Sequence, residues 1–394
     1  MLRDTLRGSG VRLRLLPVVA VAVVGALCGD SLAATLPQPL QPGDIIFTTN
    51  NANSYTQIRN GVRLGTGPTN YGPGAGNERL GGVFSDNTGA IYFAGQPSGA
   101  AIPFPDRIVE RIGVGQTNSS VLLTTPELPS GQTLRELVVA PSGNLYVLYS
   151  RDIQPAPPGG PGPDTRGQGT IDKFTPDGAG GYTRSTVGVL PGWVGNDRGN
   201  GHQLSLTASE SYILTSARDG NSVWSMNTGT GATQRWIVPT GLLGPQSNVQ
   251  LRPSAQSVLD PARPDRLLVP MGNDGLYEVD FDPATGTFPT PQPRRLTNDT
   301  AAAFIDALAF DASNNLIVST RDDATLGSLR VFTEAELAAA SAGTPFSIFG
   351  HTPLYTGTDA RIARDMAISV PEPATGALIT LACLGLLART RRGA

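Results

Sequence analysis

The sequence predicts an all-β fold, a six-bladed β-propeller, on three observations. Glycine (48) and proline (33) are abundant while charged residues make up only 15% of the 394-residue chain, a composition suited to many short strands joined by turns. A unit of apolar strand, polar turn and second apolar strand recurs five times between residues 80 and 318. The segments on either side of these five units complement one another as pieces of a sixth.

In chain order, residues 1–34 read as a signal peptide. Arg3, Arg7, Arg12 and Arg14 precede the apolar run 15–27 (LLPVVAVAVVGAL), which is shorter than a comfortable membrane span. Ser31-Leu32-Ala33 meets the small-x-small cleavage rule and places the cut after Ala33 or Ala34. A retained membrane anchor is the alternative. A lipoprotein cut before Cys28 is disfavoured by Leu27, where that processing needs a small residue.

The repeated units are 80–93 (LGGVFSDNTGAIYF), 135–147 (RELVVAPSGNLYV), 202–214 (HQLSLTASESYIL), 257–269 (SVLDPARPDRLLV) and 306–318 (DALAFDASNNLIV). Each leads to a third strand: 106–112 (DRIVERI), 170–174 (TIDKF), 222–226 (SVWSM), 275–281 (GLYEVDF) and 328–332 (SLRVF). With Val109, Asp172, Trp224, Glu278 and Arg330 as markers, the steps are 63, 52, 54 and 52 residues. The long step holds the Pro/Gly run 154–169, a loop insertion in blade two. The sixth blade is split: 365–370 (DMAISV) supplies its first strand, and 44–48 (DIIFT) and 54–59 (SYTQIR) its second and third. Pairing the two termini in one blade closes the ring and removes its open edges. Residues 35–370 form the propeller, with no stretch left for a second domain.

Smaller elements fit this frame. Asn227-Thr228-Gly229 and Asp282–Gly286 read as hairpin turns with glycine at positive φ. One helix is expected at 334–341 (EAELAAAS), with Thr333 and Glu336 at capping-box spacing. The blade grammar resembles NHL-type and related propellers, most closely at 171–178 (IDKFTPDG), a resemblance that implies fold more than function.

The C-terminal segment 371–394 carries the most specific motif. Pro371, Glu372 and Pro373 form an extended element that neither helix nor strand absorbs. The 15-residue apolar run 374–388 (ATGALITLACLGLLA) follows, expected as an apolar helix, and then Arg389, Arg391 and Arg392. This layout resembles the PEP-CTERM sorting signal of Gram-negative bacteria that make exopolysaccharide. The resemblance implies an exosortase as processing partner and an address at the cell envelope, outer surface or extracellular matrix, with transient or lasting anchoring through 374–388. An ordinary C-terminal anchor is the alternative.

The two ends take seven of the 29 basic and three of the 32 acidic residues, so the middle keeps a net charge of −7 and a single lysine, Lys173. Such a domain repels phosphate backbones, and nucleic acid is not an expected partner. Cys28 and Cys383 both lie in the ends, so the propeller holds together by its core alone.

Chemistry is expected where the inner strands begin. Polar groups recur there: Glu78 and Arg79, Arg135 and Glu136, His202 and Gln203, Gln256, Asp306, and Asp365. A ring of convergent polar groups around a channel is the default ligand site. The alternative is a self-paired channel in which Arg79 and Arg135 neutralise the carboxylates. The loop 195–203 (GNDRGNGHQ) gathers Asn196, Asp197, Asn200 and His202, oxygen and nitrogen donors suited to Ca²⁺ or to an acid–base step; a tight polar turn needs the same residues. Asp322 and Asp323, in the loop after a second strand, read as a solvated turn, with a cation site as the alternative. With only His202 and His351, no multi-histidine centre is available, and no serine elbow, cysteine nucleophile or phosphate loop appears. The calcium-binding Glu, Asn and Asp set of gluconolactonase-type propellers has no residue-by-residue match. The expectation is therefore a non-catalytic module for a saccharide, peptide or surface-protein partner. The alternative is a Ca²⁺-assisted hydrolase or lyase on a lactone or sugar polymer, using His202, Asp306 and Asp365.

Overall fold

The computed structural model describes residues 34–49, 54–68, 80–95, 107–125, 132–151, 168–191, 204–217, 222–240, 242, 257–272, 274–299 and 304–370. The leader, the C-terminal segment 371–394 and most of the run 154–169 lie outside them. Among the described residues there are six four-stranded antiparallel sheets, each ordered inner to outer along the chain except the one shared by the termini. The inner strands of blades one to five are Leu80–Ser85, Gln132–Val139, Ser205–Leu206, Val258–Leu259 and Ile305–Phe310. The sixth blade takes its inner strand, Ala363–Ile368, from the end of the chain and the other three, Ile45–Thr49, Ser54–Arg59 and Val62–Pro68, from its beginning. Ile45 pairs with Ile368, Phe47 with Met366 and Thr48 with Asp365. The expected ring closure is present.

Both faces of every blade are buried, because the core is laid down between neighbouring blades. Six apolar clusters occur, one per interface. Phe47, Ile58, Ala307 and Leu329 join blades five and six; Ile46, Tyr55, Val83 and Phe93 join six and one, with the Tyr55 and Phe93 rings stacked at 4.5 Å. Tyr149 and Val109 meet between one and two, and Trp224 and Tyr146 between two and three. The strands accordingly read as continuous apolar runs rather than alternating ones.

The fourth strands are the part that the repeat pattern does not reveal. Tyr182–Pro191 is largely exposed, Arg294–Arg295 is two residues long, and Tyr355–Gly357 is reached only after the helix. An outer edge strand meets water on its free side and carries no apolar alternation. The helix Glu334–Ser341 has its capping box: Thr333 accepts from the Glu336 N–H, and the Glu336 carboxylate accepts from the Thr333 N–H. Leu337 and Ala340 fill the interface of blades four and five, so the helix covers core as well as decorating blade five. One turn departs from expectation. In the hairpin after Met226 the left-handed residue is Gly231 (φ 70°) and not Gly229. Asn227 Oδ1 caps the N–H groups of Gly229 and Thr230, which lengthens the turn by two residues. Gly286 has the expected positive φ of 71°.

The interface geometry sets a testable contrast. Phe47 is fully buried in the closing blade while Val62, on its outer strand, is 60% exposed. Phe47→Ala is expected to cost about 3–5 kcal/mol of unfolding free energy and Val62→Ala less than roughly 0.5 kcal/mol, read from urea denaturation of the two variants.

Candidate functional site

Four inner strands carry a β-bulge near their start. The register slips between Leu80 and Val83, between Leu134 and Glu136, between Ile305 and Ala307, and opposite Thr48 and Thr49 in the closing pair. A bulge bends its strand and re-aims the side chains beside it. Three of these inner strands end in a turn opened by Asp86, Ala140 or Asp311, and the corresponding residue of the closing blade is Ser369, which pairs with Asp44 across the ring closure. Counting four residues back from these makes Gly82, Glu136, Ala307 and Asp365 equivalent positions. The same count falls on Gln203 and Gln256, which lie outside the described residues.

Blades six, one and two thus present Asp365, Gly82 and Glu136 in succession. Asp365 reaches onto blade one, where its Oδ2 accepts from the Val83 N–H at 2.5 Å, and its Oδ1 accepts from the Met366 N–H at 2.9 Å. Glu136 comes from the other side, with Oε1 accepting from the Leu137 N–H at 3.1 Å. It passes over Gly82, where a Cβ would overlap its carboxylate. The glycine is the space that lets two carboxyls from non-adjacent blades meet.

Both carboxyls are at most 2% exposed. Burial raises both, the charge of Asp365 raises Glu136 further, and the hydrogen bond between the two pulls Asp365 down. Burial pushes Asp365 up to about 7 even against the pull of the Val83 and Met366 N–H groups, and burial followed by the charge of Asp365 holds Glu136 well above the usual carboxylate range. Two ionised carboxylates can only accept hydrogen bonds, and Glu136 Oε2 is buried with no donor aimed at it. A proton retained between them supplies that donor, so the pair carries it at neutral pH.

Asp306 sits apart, on the bulge of blade five. Its carboxylate is gripped by Arg321, with Nε–Oδ2 at 2.8 Å and Nη2–Oδ1 at 2.7 Å, and the guanidinium lies 4.0 Å over the Phe304 ring. The neutralising charge comes from the cross-strand arginine. Arg79, expected in that role, lies outside the described residues, and nothing is described of the Arg135 side chain. Asp322 is bound by Arg330 at 2.7 Å, and Asp323 Oδ1 accepts from the N–H groups of Thr325 and Leu326, a closed turn. Glu78, Asn196, Asp197, Asn200 and His202 lie outside the described residues, as do Pro371, Glu372, Pro373, Arg391 and Arg392. Among the described residues no three His, Cys, Asp or Glu side chains gather as a metal cage.

The channel has a second feature, at the opposite ends of the inner strands, that the polar pattern did not indicate. A cavity of ≈ 470 Å³ is bounded there by all six blades. The last residue before each turn contributes Ser85, Val139, Leu206, Leu259, Phe310 and Ile368 to its wall. Five of these six are apolar, a pattern visible in the sequence once the blades are aligned on their turns.

The fold and the channel define a six-bladed β-propeller with a buried carboxyl pair at one level and an apolar cavity at the other. No family model matches the chain, and no curated protein matches it. Among solved structures it is similar to a Bacteroides caccae protein of unknown function, at 11% identity over 83% of this chain and 98% of that one, with a TM-score of 0.52. That likeness shows the fold alone. A Lactobacillus plantarum protein (12% identity, 83% and 99% covered, TM-score 0.46) and the Pseudomonas aeruginosa periplasmic gluconolactonase (10% identity, 84% and 99% covered, TM-score 0.46) are more distant, and nothing carries over from them.

The carboxyl pair fixes the sign of a pH dependence. The folded state keeps protons that the unfolded carboxyls release near pH 4, so stability is highest in mild acid and falls as pH rises toward about 7. Thermal or urea melts of the protein should lose roughly 1 kcal/mol per pH unit for each retained proton across that window. Glu136→Gln, whose amide donates permanently to Asp365, should flatten the slope.

Proposed function

We propose that this chain is an exported protein of the cell envelope or extracellular matrix whose propeller is a binding and scaffold module for a saccharide, peptide or protein partner. The observation that carries the reading is the ≈ 470 Å³ channel cavity bounded by all six blades, within the size range of small-ligand sites. Two of the three side chains proposed for catalysis, Asp306 and Asp365, are otherwise engaged. Asp306 is held by Arg321 and Asp365 by two backbone N–H groups and the Glu136 proton.

Export is supported by the leader pattern, and the first described residues bear on where the leader would be cut. Ala34 is fully buried and its carbonyl accepts from the Ser119 N–H at 2.8 Å. A cut after Ala33 keeps that contact; a cut after Ala34 removes it. The Pro371–Pro373 element and the run 374–388 support processing by an exosortase-type enzyme. Among the described residues no helix is long and apolar enough to cross a membrane, so any anchoring is assigned to the ends.

One observation favours the second reading, a hydrolase or lyase on a lactone or sugar polymer. Two carboxyls sharing a proton are an acid–base pair in waiting. Their burial argues for a structural role, since a reacting bond needs access to them.

Mass spectrometry of the mature protein from envelope and culture fluid tests the address. The expected N-terminal residue is Ala34, with the chain absent from the cytosol; an intact leader in a cytosolic chain overturns export. A glycan and peptide array with the mature protein, run beside lactone hydrolysis assays, tests the role. Saturable binding without turnover is expected, and turnover abolished by Glu136→Gln would favour the enzyme.

A further inference from the structure

The second residue past each inner strand contributes to a ring at the rim of the cavity: Asn87, Pro141, Ala208, Pro261, Ala312 and Val370. Five of the six are apolar. The nearby carboxylates are turned into their own turns. Asp86 Oδ1 accepts from the N–H groups of Thr88 and Ala90 and its Oδ2 from the Tyr92 hydroxyl; Asp311 Oδ1 accepts from the N–H groups of Ser313 and Asn315. The rim and the wall behind it are therefore apolar, while the charge of this end is spent locally. A saccharide seated there would leave hydroxyls unpaired at a cost of about 1–3 kcal/mol each. An apolar chain carries no such hydroxyls to leave unpaired.

The position of Val370 says where such a chain comes from. Five blades continue from the rim into a turn; in the sixth, the chain passes from Val370 straight to Pro371, and the apolar run begins at Ala374. Four extended residues reach at most about 14 Å. A bilayer that receives 374–388 therefore lies against this end of the propeller and not the other.

We propose that the apolar channel mouth, rimmed by Pro141, Ala208, Pro261, Ala312 and Val370, takes up one acyl chain of a membrane lipid while the C-terminal segment is inserted. The proposal goes beyond the binding-module reading in its ligand class and rests on that reading's membrane-directed tail. The headgroup stays at the rim, where Asn87 is the polar member, and the chain enters the space in front of Leu206, Leu259, Phe310 and Ile368. Captured lipid and inserted tail hold the same face to the bilayer.

The test uses the full-length protein incorporated into vesicles of phosphatidylethanolamine and phosphatidylglycerol, released in mild detergent and weighed by native mass spectrometry. The variant is A208E/A312E. Both positions are exposed, so its melting curve should match that of the parent, and two carboxylates at the rim oppose entry of an apolar chain. One phospholipid per parent chain is expected, with occupancy about fivefold lower in the variant. Equal occupancy in both proteins assigns the lipid to the tail and overturns the proposal, as does a parent chain that carries none. Either failure leaves the binding-module reading standing if the array finds a saturable ligand; a cytosolic chain with an intact leader removes the reading itself.

Discussion

The pairing of Ala363–Ile368 with Ile45–Thr49 is the constraint on which the molecule depends. It converts six sheets into a ring and places Asp365 beside blade one, within reach of Val83 and across Gly82 from Glu136. Without that pairing neither the carboxyl pair nor the cavity exists, because both are built from strands of non-adjacent blades. The ring is also why the core divides into six interface clusters of similar kind, each joining two neighbouring blades.

The two levels of the channel differ in chemistry for a reason that begins in local structure. At the strand starts, bulges interrupt the inner ladder, turn an N–H such as that of Val83 inward and bring polar side chains to meet it. At the strand ends, tight turns consume their own carboxylates, as at Asp86 and Asp311, and leave proline, alanine and valine facing the axis. One inner strand therefore serves both a buried polar level and an apolar mouth with no change of secondary structure.

Much of the architecture was legible in the sequence, since an apolar strand, a polar turn and a second apolar strand recur whether or not the blade sits at the chain ends. The first three strands of each blade, the split sixth blade and the capped helix follow from that pattern and from Thr333 and Glu336. The outer strands were not legible, because exposure on their free edge removes the apolar signal. Within the site, polar residues at the strand starts were recognisable, but their partners were not. The Glu136–Asp365 contact joins residues far apart in the chain and depends on the missing side chain at Gly82. Arg321 lies one hairpin from Asp306, and the bulge that aims Asp306 at it leaves no mark in the pattern. The apolar mouth was overlooked because small turn residues such as Ala208 and Ala312 read as ordinary loop.

Because the innermost strand of the sixth blade is the final one in the chain, the ring cannot shut until residue 368 is available to pair with Ile45. Such high contact order delays the last step of folding rather than the first. Blades one to five can each be complete while the closing blade still lacks its inner strand, so the ring stays open until Ala363–Ile368 is in place. Ring closure is thereby placed at the end of assembly by topology alone.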